Sequence, residues 1–165
     1  RVVAMLHARG ARAHSKAAGS GHAQSAWQHI QAAFDAYDHA GPAGEDAAPM
    51  YWVNKGELHQ VAASCALSLG EPVRALEHFD AAASDADPYD NTREIRGAVI
   101  YLARKGEAYL ALNEPEAAVE VAEQVVDRLG GVDSARSSGA FKDLCTGLGR
   151  RRDVAAVRQF LDTAA

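Results

Sequence analysis

The sequence predicts an all-α fold: a solenoid of about four antiparallel helix hairpins, eight helices in all. Three observations carry this expectation. Alanine makes up about a fifth of the 165 residues, and Leu, Arg, Glu and Gln supply much of the rest, a composition of strong helix formers. Of the five prolines, Pro42, Pro49, Pro72 and Pro115 fall in turns or at helix starts, where the missing N–H does no harm. Most informative is a spacing that occurs twice: a small residue, Gly or Asn seven later, Ala five further on, an apolar residue after four and a small or apolar one after three. It reads Ala63, Gly70, Ala75, Phe79, Ala82 and then Gly106, Asn113, Ala118, Ala122, Val125. Small residues belong where two helices cross closely. Gly or Asn supplies the positive φ of a tight turn, and the apolar residue fills the gap to the next hairpin.

The elements follow in order. A first helix spans 2–18 and stops at Gly19-Ser20-Gly21. A second covers 22–39, with Trp27, Ile30, Phe34 and Tyr37 at helical spacing. The Gly-, Ala- and Pro-rich segment 41–49 reads as the one linker. A third helix, 50–69, begins at Met50-Tyr51-Trp52 and ends on Gly70, a left-handed cap. Pro72 opens the fourth, whose inner stripe is Ala75, Leu76, Phe79 and Ala82. After the polar turn 85–91, Asn91 or Thr92 caps a fifth helix reaching Leu112. The turn Asn113-Glu114-Pro115 restates Gly70-Glu71-Pro72, and the sixth helix ends at Gly130-Gly131. Asp133 or Ser134 caps a seventh helix to Leu148, and Asp153 starts an eighth with Val154, Val157, Phe160 and Leu161. One domain, 1–165, then holds hairpins at about 1–40, 50–86, 91–131 and 133–163. The first repeats the motif as His14, Gly21, Ala26, Ile30, Ala33; the last has a degenerate copy, Leu144, Arg151, Ala156, Phe160, Thr163. A weak terminal copy is expected of an end repeat with one face in water.

Charge and motif content narrow the function classes. A net charge of −5 argues against direct nucleic-acid binding by this chain, which would need a basic face. The run Arg150-Arg151-Arg152 is either a solvated cluster at a helix C-terminus or a contact patch. Cys65 and Cys145 read as free thiols of a reducing compartment, and with no signal peptide or 20-residue apolar span the expected location is cytoplasmic. No phosphate loop, nucleotide fingerprint or nucleophile elbow occurs. Ser64 and Cys65 with His59 form a nominal nucleophile and base, but His59 and Cys65 lie six residues apart on different helix faces. The pairs His7/His14 and His22/His29 each stand two turns apart on one helix, roughly 10 Å, too far for a shared ion. We therefore expect no enzyme, no metal and no cofactor.

The repeated unit is similar to the tetratricopeptide repeat (TPR), a helix-turn-helix unit of about 34 residues. The resemblance implies a right-handed stack whose first helices line a concave groove. Corresponding positions His14, Ala63, Gly106 and Leu144 are separated by 49, 43 and 38 residues, so these units are longer than the standard repeat. More narrowly, the stretches LHARGARAHSKAAGSG, YWVNKGELHQVAASCALSLGEPVRALEHF, YLARKGEAYLALNEPEAAVEVAEQVV and FKDLCTGLGRRRDVAAVRQFLD resemble the C-terminal repeat region of actinobacterial XRE-type helix-turn-helix transcriptional regulators. That resemblance implies an N-terminal DNA-binding domain ahead of Arg1 and a sensing or dimerising role for the repeats.

Groove candidates follow from helical spacing. On the third helix Glu57, Gln60, Ser64 and Leu67 share a face, and on the fifth Ile100, Ala103, Arg104, Glu107 and Leu110 take the matching one. The polar stripe either hydrogen-bonds an extended ligand or is a solvated helix face. Tyr51 and Trp52 either anchor a partner or plug the gap between irregular repeats. The Lys–Asn pairing with which chaperone-binding TPR domains clamp a carboxylate is missing, although Arg104 can meet a carboxylate or phosphate bidentately. The expected partner is a peptide, protein or small effector, or a second copy of the chain as a homodimer. The alternative is a free-standing TPR adaptor bridging two proteins.

Overall fold

The computed structural model describes residues 1–17, 21–46, 50, 52–84, 95–129 and 135–164. Among them every regular element is helical. Eight α-helices follow one another: α1 (Val2–Lys16), α2 (His22–Asp38), α3 (Lys55–Ser68), α4 (Pro72–Ser84), α5 (Ile95–Ala111), α6 (Pro115–Leu129), α7 (Ala135–Leu148) and α8 (Ala155–Ala164). The chain divides into two compact units, Arg1–Asn91 with α1–α4 and Thr92–Ala165 with α5–α8.

The two repeated turns have the same hydrogen-bonded geometry. Gly70 has φ 77° and Asn113 has φ 62°, the left-handed conformation required of both. Gly70 N donates to Leu67 O at 3.1 Å and Glu71 N to Ala66 O at 2.9 Å. Asn113 N donates to Leu110 O at 3.1 Å and Glu114 N to Tyr109 O at 2.9 Å. Each set is a Schellman closure, which satisfies carbonyls that the helix end would leave orphaned. Glu71 and Glu114 then accept from Ala75 N and Ala118 N, so one residue ends the first helix's cap and starts the next helix. Gly21, in the first copy of the motif, is also left-handed at φ 93°.

Two expected boundaries differ. Residue 50 does not open the third helix: α3 starts at Lys55, because Asn54 Oδ1 accepts from Glu57 N at 2.7 Å and fixes the N-terminus there. The Asn-x-x-Glu spacing was the sequence signal for it, outweighed by the apolar run before it. The segment 41–49 is also not wholly irregular. It carries a 3-10 turn, Ala43–Glu45, and Arg1 reaches it with bonds to Gly41 O (2.8 Å) and Asp46 (2.9 Å) while its guanidinium lies over Tyr37. The caps expected at Asn91, Thr92, Asp133 and Ser134, and the stop at Gly130-Gly131, lie outside the described residues.

In each unit the later hairpin places its first helix against both helices of the earlier one: α3 packs on α1 and α2, and α7 on α5 and α6. Four alanines of the motif are fully enclosed by packing. Ala63, Ala75, Ala118 and Ala122 have no exposed surface. The gap-filling position behaves as its spacing requires in the first hairpin. Ile30 of α2 is buried with Ala11 of α1 and with Ala62 and Cys65 of α3. In the second unit Val99, Ala103, Ala118, Val119, Ala122, Val125, Leu144, Leu148, Val157 and Phe160 form one apolar core drawn from all four helices.

Candidate functional site

The residues expected to line a groove fall on two helices, α3 of the first unit and α5 of the second, and each face stands by itself. On α3 the cap that starts the helix also places Glu57 in its first turn, where a carboxylate meets the positive end of the helix dipole. One turn on, Gln60 is half-buried; its Oε1 is shielded from solvent and has no hydrogen-bond partner among the described residues. Such an acceptor lacks the compensation that a buried polar group normally finds.

Ser64, the next member of the stripe, is buried under α1. Arg12 of α1 crosses to donate to Ser64 O at 2.7 Å and to Ser68 Oγ at 3.3 Å, and Ser68 Oγ itself donates to Ser64 O at 3.0 Å. Arg12 was not legible as a site residue, because nothing in its own helix's pattern shows that it reaches a neighbour. Leu67 is half-buried at the far end of the face. Trp52 stays off this face's helix: it lies in the turn before Asn54, half-buried, so its expected position at the start of α3 is corrected. Tyr51 lies outside the described residues.

On α5, Ile100, Arg104 and Glu107 are half-buried. Burial pushes the Glu107 carboxyl above the usual carboxylate range; the Arg104 guanidinium pulls it back, and the Asp143 charge adds to the rise. Asp143 comes from α7, which packs on α5, and is the second neighbour the sequence did not announce. The arrangement is a cation beside two carboxylates on the seam between the first helices of successive hairpins. Cys145 on the same helix as Asp143 is half-buried, and burial pushes its thiol up, away from thiolate chemistry.

The sign of the Glu107 effect gives a test. A raised carboxyl is penalised when ionised, so the folded state loses stability above the folded pKa and is relieved of the penalty below the ordinary value of 4.5. Glu107→Gln is therefore expected to raise the melting temperature at pH 7.5, with the gain vanishing by about pH 4.5. Thermal unfolding of the two full-length proteins across this range measures it. An unchanged or lowered melting temperature at pH 7.5 would contradict the burial argument.

Among the described residues no group of three or more His, Cys, Asp or Glu side chains converges as a metal site. No described helix is long and apolar enough to cross a membrane. The basic run ends α7 as a 3-10 turn, Gly149–Arg151, with Arg152 in an exposed 3.5 Å ion pair to Asp162. No family model, curated protein or solved structure matches this chain.

Proposed function

We propose that this chain is a ligand- or protein-binding domain of the TPR type, a right-handed solenoid of helix hairpins. We further propose that it serves as the sensing or dimerising region of an XRE-type transcriptional regulator. The observation that carries the reading is the packing scheme common to both units, in which the first helix of the later hairpin rests on both helices of the earlier one. Stacks built this way present successive first helices along one side and keep their apolar residues inside, an arrangement for holding an extended molecule. The left-handed turns at Gly70 and Asn113 support the same repeat.

The polar chemistry on those first helices favours an extended peptide. Gln60 has an amide oxygen without a partner among the described residues, so turning it toward a ligand N–H gains a hydrogen bond without breaking one. Arg104 offers a guanidinium fork for a carboxylate. Small rotations between hairpins then carry the presence of ligand along the stack to an attached domain.

The test is peptide selection on the immobilised full chain, followed by affinity measurement on the wild type, Gln60→Ala and Arg104→Ala. A selected peptide is expected to lose about tenfold or more in affinity in at least one variant, at unchanged melting temperature. Selection that yields no binder, or binders indifferent to both substitutions, would sink the groove. Reading the coding sequence ahead of Arg1 separates the two contexts: a helix-turn-helix domain supports the regulator, and the lack of one supports the free-standing adaptor.

A further inference from the structure

All seven histidines lie in the first unit, at positions 7, 14, 22, 29, 39, 59 and 78, and six of them meet in pairs across helix seams. His7 Nδ1 faces His29 Nδ1 at 3.0 Å, His14 Nδ1 faces His22 Nδ1 at 3.0 Å, and His59 Nδ1 faces His78 Nδ1 at 3.0 Å. The first two pairs join into one file along the α1–α2 hairpin, because the His14 and His29 rings stack with centroids 5.3 Å apart. Gly10 makes room for it: a Cβ there would lie 2.9 Å from the His29 ring. The third pair bridges α3 and α4 and is enclosed by α2, with Phe34 against His59 and Trp27 stacked on His78.

The chemistry of such a pair is asymmetric in protons. A neutral pair is held by one ring's N–H donating to the other's lone pair, and one further proton on an outer nitrogen leaves that bond in place. A second proton sets N–H against N–H, so the bond is lost and two cations face each other.

Helix α1 carries Arg9, Arg12 and Lys16 and no carboxylate. The α2 carboxylates sit in its C-terminal part, where Asp35 accepts from Gln31 and Asp38 pairs with Lys55. From α3, Glu57 occupies the capped first turn, and Arg12 faces Ser64 and Ser68. No carboxylate is hydrogen-bonded to His7, His14, His22 or His29 among the described residues. Around the third pair, Arg74 of α4 stands over Trp27, and Glu71 is engaged by Trp27 Nε1 and Arg74; Glu77 and Asp80 are the other acidic residues of α4. Burial, then His59, then Arg74 push the His78 imidazole down to about 4.

We propose that the α3–α4 hairpin of the first unit is acid-operated: proton uptake by the His59–His78 pair, whose rings face each other at 3.0 Å against Phe34 and Trp27, loosens this hairpin while the histidine-free second unit stays closed. The sign is fixed by linkage. A histidine held below its ordinary value of 6.5 takes up protons more readily unfolded, so stability is intact above pH 6.5 and falls as pH drops toward 4. The proton is thus an effector in its own right, and the proposal stands on the first unit alone, whatever ligand the faces above receive.

Amide hydrogen exchange on the full-length chain at pH 7.5 and 5.0, corrected for intrinsic rates, tests it. Protection in α3 and α4 is expected to fall by about tenfold or more, while α5–α8 changes by less than about threefold. Equal loss in both units, or none in α3 and α4, overturns the proposal. A His78→Gln variant keeps a hydrogen-bonding amide opposite His59 but removes the ring that is held low, and most of the acid loss should disappear. An acid loss as large as the wild type's overturns the proposal. So does stoichiometric binding of added Zn²⁺ that protects the α3–α4 amides, since the imidazoles are then metal ligands.

Discussion

Leu144→Ala is expected to destabilise the second unit by about 2–5 kcal/mol, lowering its melting temperature by roughly 10–40 °C. Leu144 has no exposed surface and belongs to the core assembled from α5, α6, α7 and α8. Its side chain lies against the bare backbone of Gly106 on α5, where an added Cβ would stand 2.8 Å from Cδ1 and 2.9 Å from Cδ2. Large residue and glycine thus form a complementary pair, and this is why the small position of one repeat can face a large residue in the next. Removing the leucine leaves a cavity that its fully buried neighbours Val99 and Val125 cannot close without shifting helices.

The pair predicts a specific non-additivity. Gly106→Ala alone gains about 1 kcal/mol of helix preference but crowds Leu144, so the two effects largely cancel. In the Leu144→Ala background the same methyl enters vacated space, and the double variant should be about 1 kcal/mol more stable than Leu144→Ala alone. Chemical denaturation of the four proteins closes the cycle. If the two changes add independently, the contact between α5 and α7 is not the one described.

Ile30→Ala is expected to cost the first unit about 2–5 kcal/mol, and Ile30→Val about 0.5–1.5 kcal/mol. Ile30 is 5% exposed and joins three helices, touching Ala11 within its own hairpin and Ala62 and Cys65 in the next. Those partners are small and fully buried, so they have no reach with which to fill a void. Because Ile30 couples the two hairpins as well as the helices of its own, the loss should appear as faster amide exchange in α3 as well as in α2. A cost below about 1 kcal/mol, or an effect confined to α2, would show that the seam between the hairpins is carried elsewhere.

Much of this architecture was legible residue by residue. Gly70 and Asn113 declared their turns because few residues other than Gly and Asn tolerate a left-handed backbone, and the prolines two residues later forbid the first helix from continuing. Ala63, Ala75 and Ala118 were legible as buried positions because close helix approach admits little else. The start of α3 was misplaced for a local reason: Asn54 and Glu57 cap the helix after the aromatic pair, and the apolar pattern outweighed that cap.

The candidate faces were legible only in part. Gln60, Arg104 and Glu107 lie partly exposed on the helices expected of them, but Ser64 is covered by α1, and Arg12 and Asp143 arrive from neighbouring helices. The histidines show the same boundary. Equal seven-residue steps at His7/His14 and His22/His29 are a sequence fact, and within one helix they keep the rings apart. Antiparallel packing brings the equal steps into register and turns separated side chains into 3.0 Å contacts.

The sequence by itself determined helices, turns and the small buried positions, since each rests on backbone preference or on spacing along one chain segment. Only the tertiary structure decided which polar groups are covered, which carboxyl is pushed up and which imidazoles share a proton. Those properties depend on what a neighbouring helix places within a few ångströms, and that distance is written in no single helix's pattern.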